Sequence, residues 1–172
     1  MRKPILTLSM SALTGVALVT QQSPTPTHAV KRATSHQANI RQAMSAPYEN
    51  LQWQIIVPEL GADSPQISIL RVDPKTHATQ LLIRVPNKLH VPMHWHTANE
   101  THTVIKGTWV FEHEGGRDQL GVGGFNYIPA KMPHQAWASD DALVFITVDS
   151  GWDINWVGAP PTKADLGKTP DD

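Results

Sequence analysis

His94-Trp95-His96-Thr97-Ala98-Asn99-Glu100-Thr101-His102 is the stretch on which the reading of this chain turns. In an extended strand alternate residues point to one face, so His94 and His96 project together. A tight bend over 97–99 lets Glu100, on the next strand, face the same pair and add a charge-neutralising oxygen. His134 follows a turn, 129–133, with proline at both ends, which can deliver a fourth ligand from a distant strand. Three imidazoles and one carboxylate suit manganese, ferrous iron, nickel, cobalt or zinc better than calcium or magnesium. An octahedral ion so held keeps two positions for water, dioxygen or substrate, as catalytic sites do and closed structural sites do not. His102 lies two residues past Glu100 and shares its inward face. Four readings stay open for it: proton shuttle, partner orienting Glu100, replacement ligand, or a histidine hydrogen-bonded inside the barrel without chemical duty.

Outward from this stretch the chain reads as many short β-rich runs. Strands are expected at 52–57, 66–72, 79–85, 89–96, 101–106, 108–113, 125–128, 134–138, 143–149 and 153–157, with Gly, Pro, Asn and Asp between them. Regular spacing without a long helical period argues for an all-β sandwich or barrel. Prolines fall at the ends of the runs, where they break no ladder. The segment 158–172 is rich in Pro, Lys and Asp, and is expected to be an exposed C-terminal loop.

The spacings carry a resemblance. HWHTANETHTVIKG, residues 94–107, resembles the first motif of the cupin superfamily: HxH, then Glu100, then Gly107 after six intervening residues. GGFNYIPAKMPH, residues 123–134, is similar to the second motif at Gly123, Pro129 and His134. The departures touch turns: Asn87-Lys88 replaces the opening glycine of the first motif, Lys131 stands where the second usually has glycine, and Ala138 replaces its terminal asparagine. The likeness covers roughly 51–157 and is nearest to exported bacterial single-domain cupins of unassigned substrate. It implies a double-stranded β-helix, or jelly-roll, barrel closed by a Greek-key path. It also implies one divalent transition metal (iron, manganese or nickel, with zinc allowed by the donor set) on His94, His96, Glu100 and His134. Glu100 and His102 are then the candidate catalytic residues. Cupins commonly pair through edge strands, so a homodimer is expected. One fold hosts many chemistries. The leading expectation is an oxygenase-type enzyme acting on a small organic substrate. A redox-neutral isomerase or lyase and a non-catalytic binding or sensing module are the alternatives.

Composition bounds the rest. With 172 residues and 40% hydrophobic content, the chain is long enough for one core without disulfides, and it has no cysteine. A formal charge of −1 provides no basic field, so no nucleic-acid partner is expected. Arg2 and Lys3, an uncharged run over 4–20 and small residues ending at Ala29 read as a secretory leader, 1–29. Cleavage after Ala29 removes two basic residues and no acids, leaving 12 basic against 15 acidic, in a periplasmic or secreted protein without a membrane anchor. Residues 30–50 are expected to form a flexible arm with one helical turn near 37–44. Trp95, Trp109, Trp137, Trp152 and Trp156 are expected mainly to pack, some at the pocket mouth against a flat substrate. His77 and His90 are expected at the surface, Glu112 and His113 in solvent, and Arg84 in an edge salt bridge or an inward clamp.

Overall fold

The computed structural model describes residues 43–172. The expected leader, 1–29, the first part of the arm and most of its helical turn therefore lie outside the described residues; Ala43 and Met44 take no regular structure. In chain order the strands are β1 (Gln54–Ile55), β2 (Gln66–Val72), β3 (Thr79–Val85), β4 (Leu89–Trp95), β5 (Glu100–Lys106), β6 (Trp109–His113), β7 (Gly116–Leu120), β8 (Phe125–Ile128), β9 (His134–Ala138), β10 (Ala142–Val148) and β11 (Asn155–Trp156). They build two antiparallel sheets, ordered β1-β2-β3-β10-β5-β8 and β11-β4-β9-β6-β7. From β3 to β10 the chain alternates between sheets at nearly every connection, and only the β6–β7 hairpin stays within one. That is the path of a jelly roll, an all-β fold as expected. The two sheets face one another rather than forming one continuous hydrogen-bonded cylinder.

Burial follows the period-two pattern. In β10, Ala142, Val144, Ile146 and Val148 point inward and are buried, while the residues between them are half-buried outside. Leu81, Val85, Leu89 and Val104 complete the fully buried centre between the sheets. Each such side chain contributes about 1.5–3 kcal/mol over an exposed one. At the β5–β6 corner Gly107 has φ +79°, and an added Cβ would lie 2.6 Å from Ser139 Oγ. Conformation and space both require glycine there.

β4 does not keep one parity along its length. Leu89 pairs with Ala138 and Val91 with Ala136, but His94 pairs with His134, so one extra residue enters β4 at Pro92–Met93. This bulge lets Leu89, Val91 and His94 all face inward despite their odd spacing. Pro92, without an N–H, sits where the ladder is already interrupted.

Five expectations need correcting or refining. β7 was not expected: its Arg-Asp-Gln core is polar because the strand is an exposed sheet edge with no apolar face to signal it. The segment 158–172 is largely exposed, as expected, but it is docked against β4 rather than free. Pro161 is buried, Leu166 bridges to Leu89, and the Gly167 N–H donates to the Lys88 carbonyl. His90 is not a surface residue: it stacks on Trp137 with centroids 4.8 Å apart and contacts Asp165 Oδ1 at 3.2 Å and Gln135 Oε1 at 3.0 Å. Glu112, expected in solvent, accepts from Gln135 and Arg117. Arg84 makes neither expected contact; it donates to Gln66 Oε1 and lies over the Trp53 ring.

Asp165 anchors that segment. Burial raises its pKa, but the Thr162 N–H and hydroxyl, His90 and Lys168 outweigh it and hold the value down to about 2. A carboxylate depressed on folding adds stability above its ordinary pKa near 4, and the contribution is lost as pH falls toward 2. Asp165→Asn is therefore expected to lower urea stability by about 2 kcal/mol at pH 7. The gap to the parent protein should shrink steadily below pH 4; a gap independent of pH would count against this role.

Candidate metal centre

His94 is the next-to-last residue of β4, His96 lies just beyond the strand, Glu100 opens β5 and His134 opens β9. Two ties position these ends. The 129–133 turn hangs on the bend after His96: the Lys131 N–H donates to the His96 carbonyl at 2.8 Å, and the Ala130 N–H to Asn99 Oδ1 at 2.9 Å. Lys131 adopts φ +63°, which explains why glycine is usual there and is a local strain that the hydrogen bond offsets. On the other side, Asn99 is held by Asp149 at the end of β10. His94 and His134 are then direct cross-strand partners, with ring centroids 4.2 Å apart.

The protonation pattern follows from the acceptors. His94 Nδ1 meets the Pro92 carbonyl at 2.8 Å, His134 Nδ1 meets the Met132 carbonyl at 3.0 Å, and His96 Nδ1 meets the Asp153 carbonyl. A carbonyl oxygen can only accept, so each Nδ1 carries the hydrogen and each neutral ring presents an Nε2 lone pair. One ligand atom from each of the three rings lies within 4.8 Å of the other two. Glu100 is 1% exposed, and its Oε2 is 2.8 Å from His96 Nε2 yet has no hydrogen bond. Lone pairs and a carboxylate oxygen thus face each other in a buried space. Such a set is electrostatically incomplete without a cation, and a divalent metal ion fits it.

The pKa shifts agree. Burial, then repulsion from the neighbouring imidazoles, lowers His94 to about 3; burial likewise lowers His134 to about 4, so both stay neutral donors at ordinary pH. Burial also lowers His96, but Glu100 outweighs it and the net shift is upward, as if a proton took the place of a cation between them. Burial raises Glu100, yet His102 and His96 bring it down to about 2.

His102 is buried beside the cluster, its Nε2 3.6 Å from Glu100 Oε1 and its Nδ1 2.9 Å from Asn126 Oδ1. It stands outside the three-imidazole group. Trp152 donates its indole N–H to Glu100 Oε1 at 3.2 Å. Above the cluster opens a pocket of about 50 Å³, walled by Ile83, Val91, Ile154, Trp156 and other apolar residues. Of the five expected tryptophans, Trp109 and Trp137 are buried, Trp95 is half-buried, and Trp152 and Trp156 line this pocket.

Residues 81–149 match the family model described as a cupin domain. Over those residues the chain is similar to a cupin domain. Its cupin fold is shared with KdgF from Halomonas sp., 20% identical, covering 63% of this chain and 94% of that one with a TM-score of 0.52. An RmlC-like cupin from Shewanella frigidimarina is 14% identical over 64% of this chain and 93% of its own, with a TM-score of 0.54. The polyketide cyclase RemF from Streptomyces resistomycificus is 16% identical over 69% and 87%, also at 0.54. At these identities the likeness is one of fold. No functionally curated protein matches the sequence.

Sequence reasoning did not single out Asp153, which the cupin site uses twice. Its carbonyl accepts from His96 Nδ1, and its carboxylate takes the Thr97 N–H at 2.8 Å, the Thr97 hydroxyl and the Asn155 amide. The signal was the Trp152-Asp153-Ile154-Asn155-Trp156 run, where a lone acid sits among tryptophans. Asp153→Ala leaves the carbonyl but frees it to move. We expect metal affinity to fall about 10–100-fold, as for other residues that orient a ligand, read by competition with a chromogenic chelator. An unchanged affinity would assign Asp153 to loop stability alone.

Proposed function

We propose that this cupin is a metal-dependent enzyme of oxygenase type acting on a small organic substrate, with His94, His96, His134 and Glu100 as its metal ligands. One observation carries the reading: three oriented Nε2 lone pairs and an unpaired carboxylate oxygen meet at the floor of an open apolar pocket. A bound divalent ion of the iron, manganese or nickel type would supply a Lewis acid and, as iron, access to dioxygen chemistry.

The chain's own groups do the rest. Glu100 neutralises charge and is aimed by the Trp152 N–H. His102, with Nδ1 turned to Asn126, presents Nε2 toward Glu100 Oε1, where a proton can be held or passed once the 3.6 Å gap closes. Trp152 and Trp156 shield the floor from water. The buried Glu100–His102 pair also favours a second reading, redox-neutral isomerisation or elimination in which these two groups move the proton.

The test begins with metal content per chain, by plasma mass spectrometry, on protein prepared without a histidine tag or chelator. About one iron, manganese or nickel per chain is expected. Oxygen consumption by the loaded protein with candidate substrates then separates oxygenase from redox-neutral chemistry. Failure to take up metal, even after anaerobic reconstitution, would sink both readings.

A further inference from the structure

We propose that the pocket selects a ligand with a single oxygen-donor head and an apolar, ring-sized body, and rejects polyols and multiply charged anions. The head rests on the metal-dependent reading above; the body rests on the walls alone. Among the residues lining the pocket, the only titratable side chains are the four buried histidines and Glu100 at its floor. Among the described residues no lysine or arginine lines it, and indole N–H groups are the only other side-chain hydrogen-bonding groups there. A divalent ion beside an ionised Glu100 leaves one net positive charge. One anionic oxygen is matched there, and a second would be desolvated without a counter-charge.

The same walls disfavour hydroxyl-rich ligands, because each buried hydroxyl needs a partner that Ile83, Val91 and Ile154 do not offer. They favour a flat apolar body. Trp156 lies 5.3 Å from the His94 ring and Trp152 lies 6.2 Å from the His96 ring, so two indoles border the floor and add large apolar contact area beside it. The head reaches the floor while the ring stays beside the indoles.

Three probes test this on the full chain loaded with metal, its content measured before each titration. Binding is read by calorimetry and by quenching of tryptophan fluorescence. 2-Hydroxyacetophenone, with one chelating head on a phenyl ring, is expected to bind at least about ten-fold more tightly than oxalate or D-glucuronate. Oxalate or glucuronate binding equally well or better would overturn the proposal, as would failure of all three to bind. Ile154→Arg places a cation in the wall and is expected to reverse the preference in favour of oxalate without loss of metal; an unaltered ranking counts against the wall argument. Acetophenone, which cannot chelate, is titrated into metal-free protein. It should still quench fluorescence if the walls select the body, so a failure of the metal reading and a failure of this one give different results.

Discussion

His94→Ala and His134→Ala are each expected to leave a folded protein that no longer retains metal. Each change deletes one of three Nε2 lone pairs that face a common point. Each also leaves the carbonyl of Pro92 or Met132 without its imidazole donor, a modest cost beside losing a metal ligand. Losing a residue that merely orients a ligand costs about 10–100-fold in affinity, so losing a ligand should cost more than about 100-fold. The measurement is metal per chain after dialysis, alongside circular dichroism to show that the sheets persist. His90→Ala is the control. It removes a histidine from the outer face of the same strand, where the ring touches Trp137, Gln135 and Asp165, and metal content should stay that of the parent. Parent-like metal in both His94→Ala and His134→Ala would disprove the site.

Much of this was legible in the sequence because the strands obey simple alternation. Thr79–Val85, Phe125–Ile128 and His134–Ala138 appear with the bounds that pattern and turn residues predict. The His94–His96 pair and the delivery of His134 by a proline-bounded turn were readable for the same reason. What was not legible depends on long-range pairing. The bulge at Pro92–Met93 is visible only against β9, yet it decides that His94 faces inward together with Leu89 and Val91. β7 has a single apolar side chain, Leu120, because its other positions are exposed at the sheet edge. The polar segment after Gly158 carries few hydrophobic residues, and it docks instead through Asp165 on His90, Asp171 on Arg117 and the Gly167 N–H on the Lys88 carbonyl. Asp153 acts partly through a backbone carbonyl, an atom every residue owns, so no side-chain pattern could announce it.

Metal should also be a main source of this protein's stability. Without a cation the buried Glu100 Oε2 lacks a hydrogen bond, and three imidazole lone pairs converge on one space. Burial of a polar atom without a partner costs about 1–3 kcal/mol, more when it is charged. A ligand that binds only the folded state adds about 4 kcal/mol when present at a thousand times its Kd. For a domain of this size that corresponds to roughly 10–20 °C in Tm. Chelator treatment is therefore expected to lower Tm by more than about 10 °C, and equimolar metal to restore it. Glu100→Gln separates the two origins of the effect. The amide is neutral, so the metal-free variant at pH 8, where a proton on His96 is least available to pair the carboxylate, should be at least as stable as the metal-free parent. It should also gain much less from metal, because the ion loses its anionic ligand, and the order of the two Tm values then inverts on loading. If Glu100→Gln instead tracks the parent in both states, Glu100 is not a ligand, and the three histidines hold the ion without it.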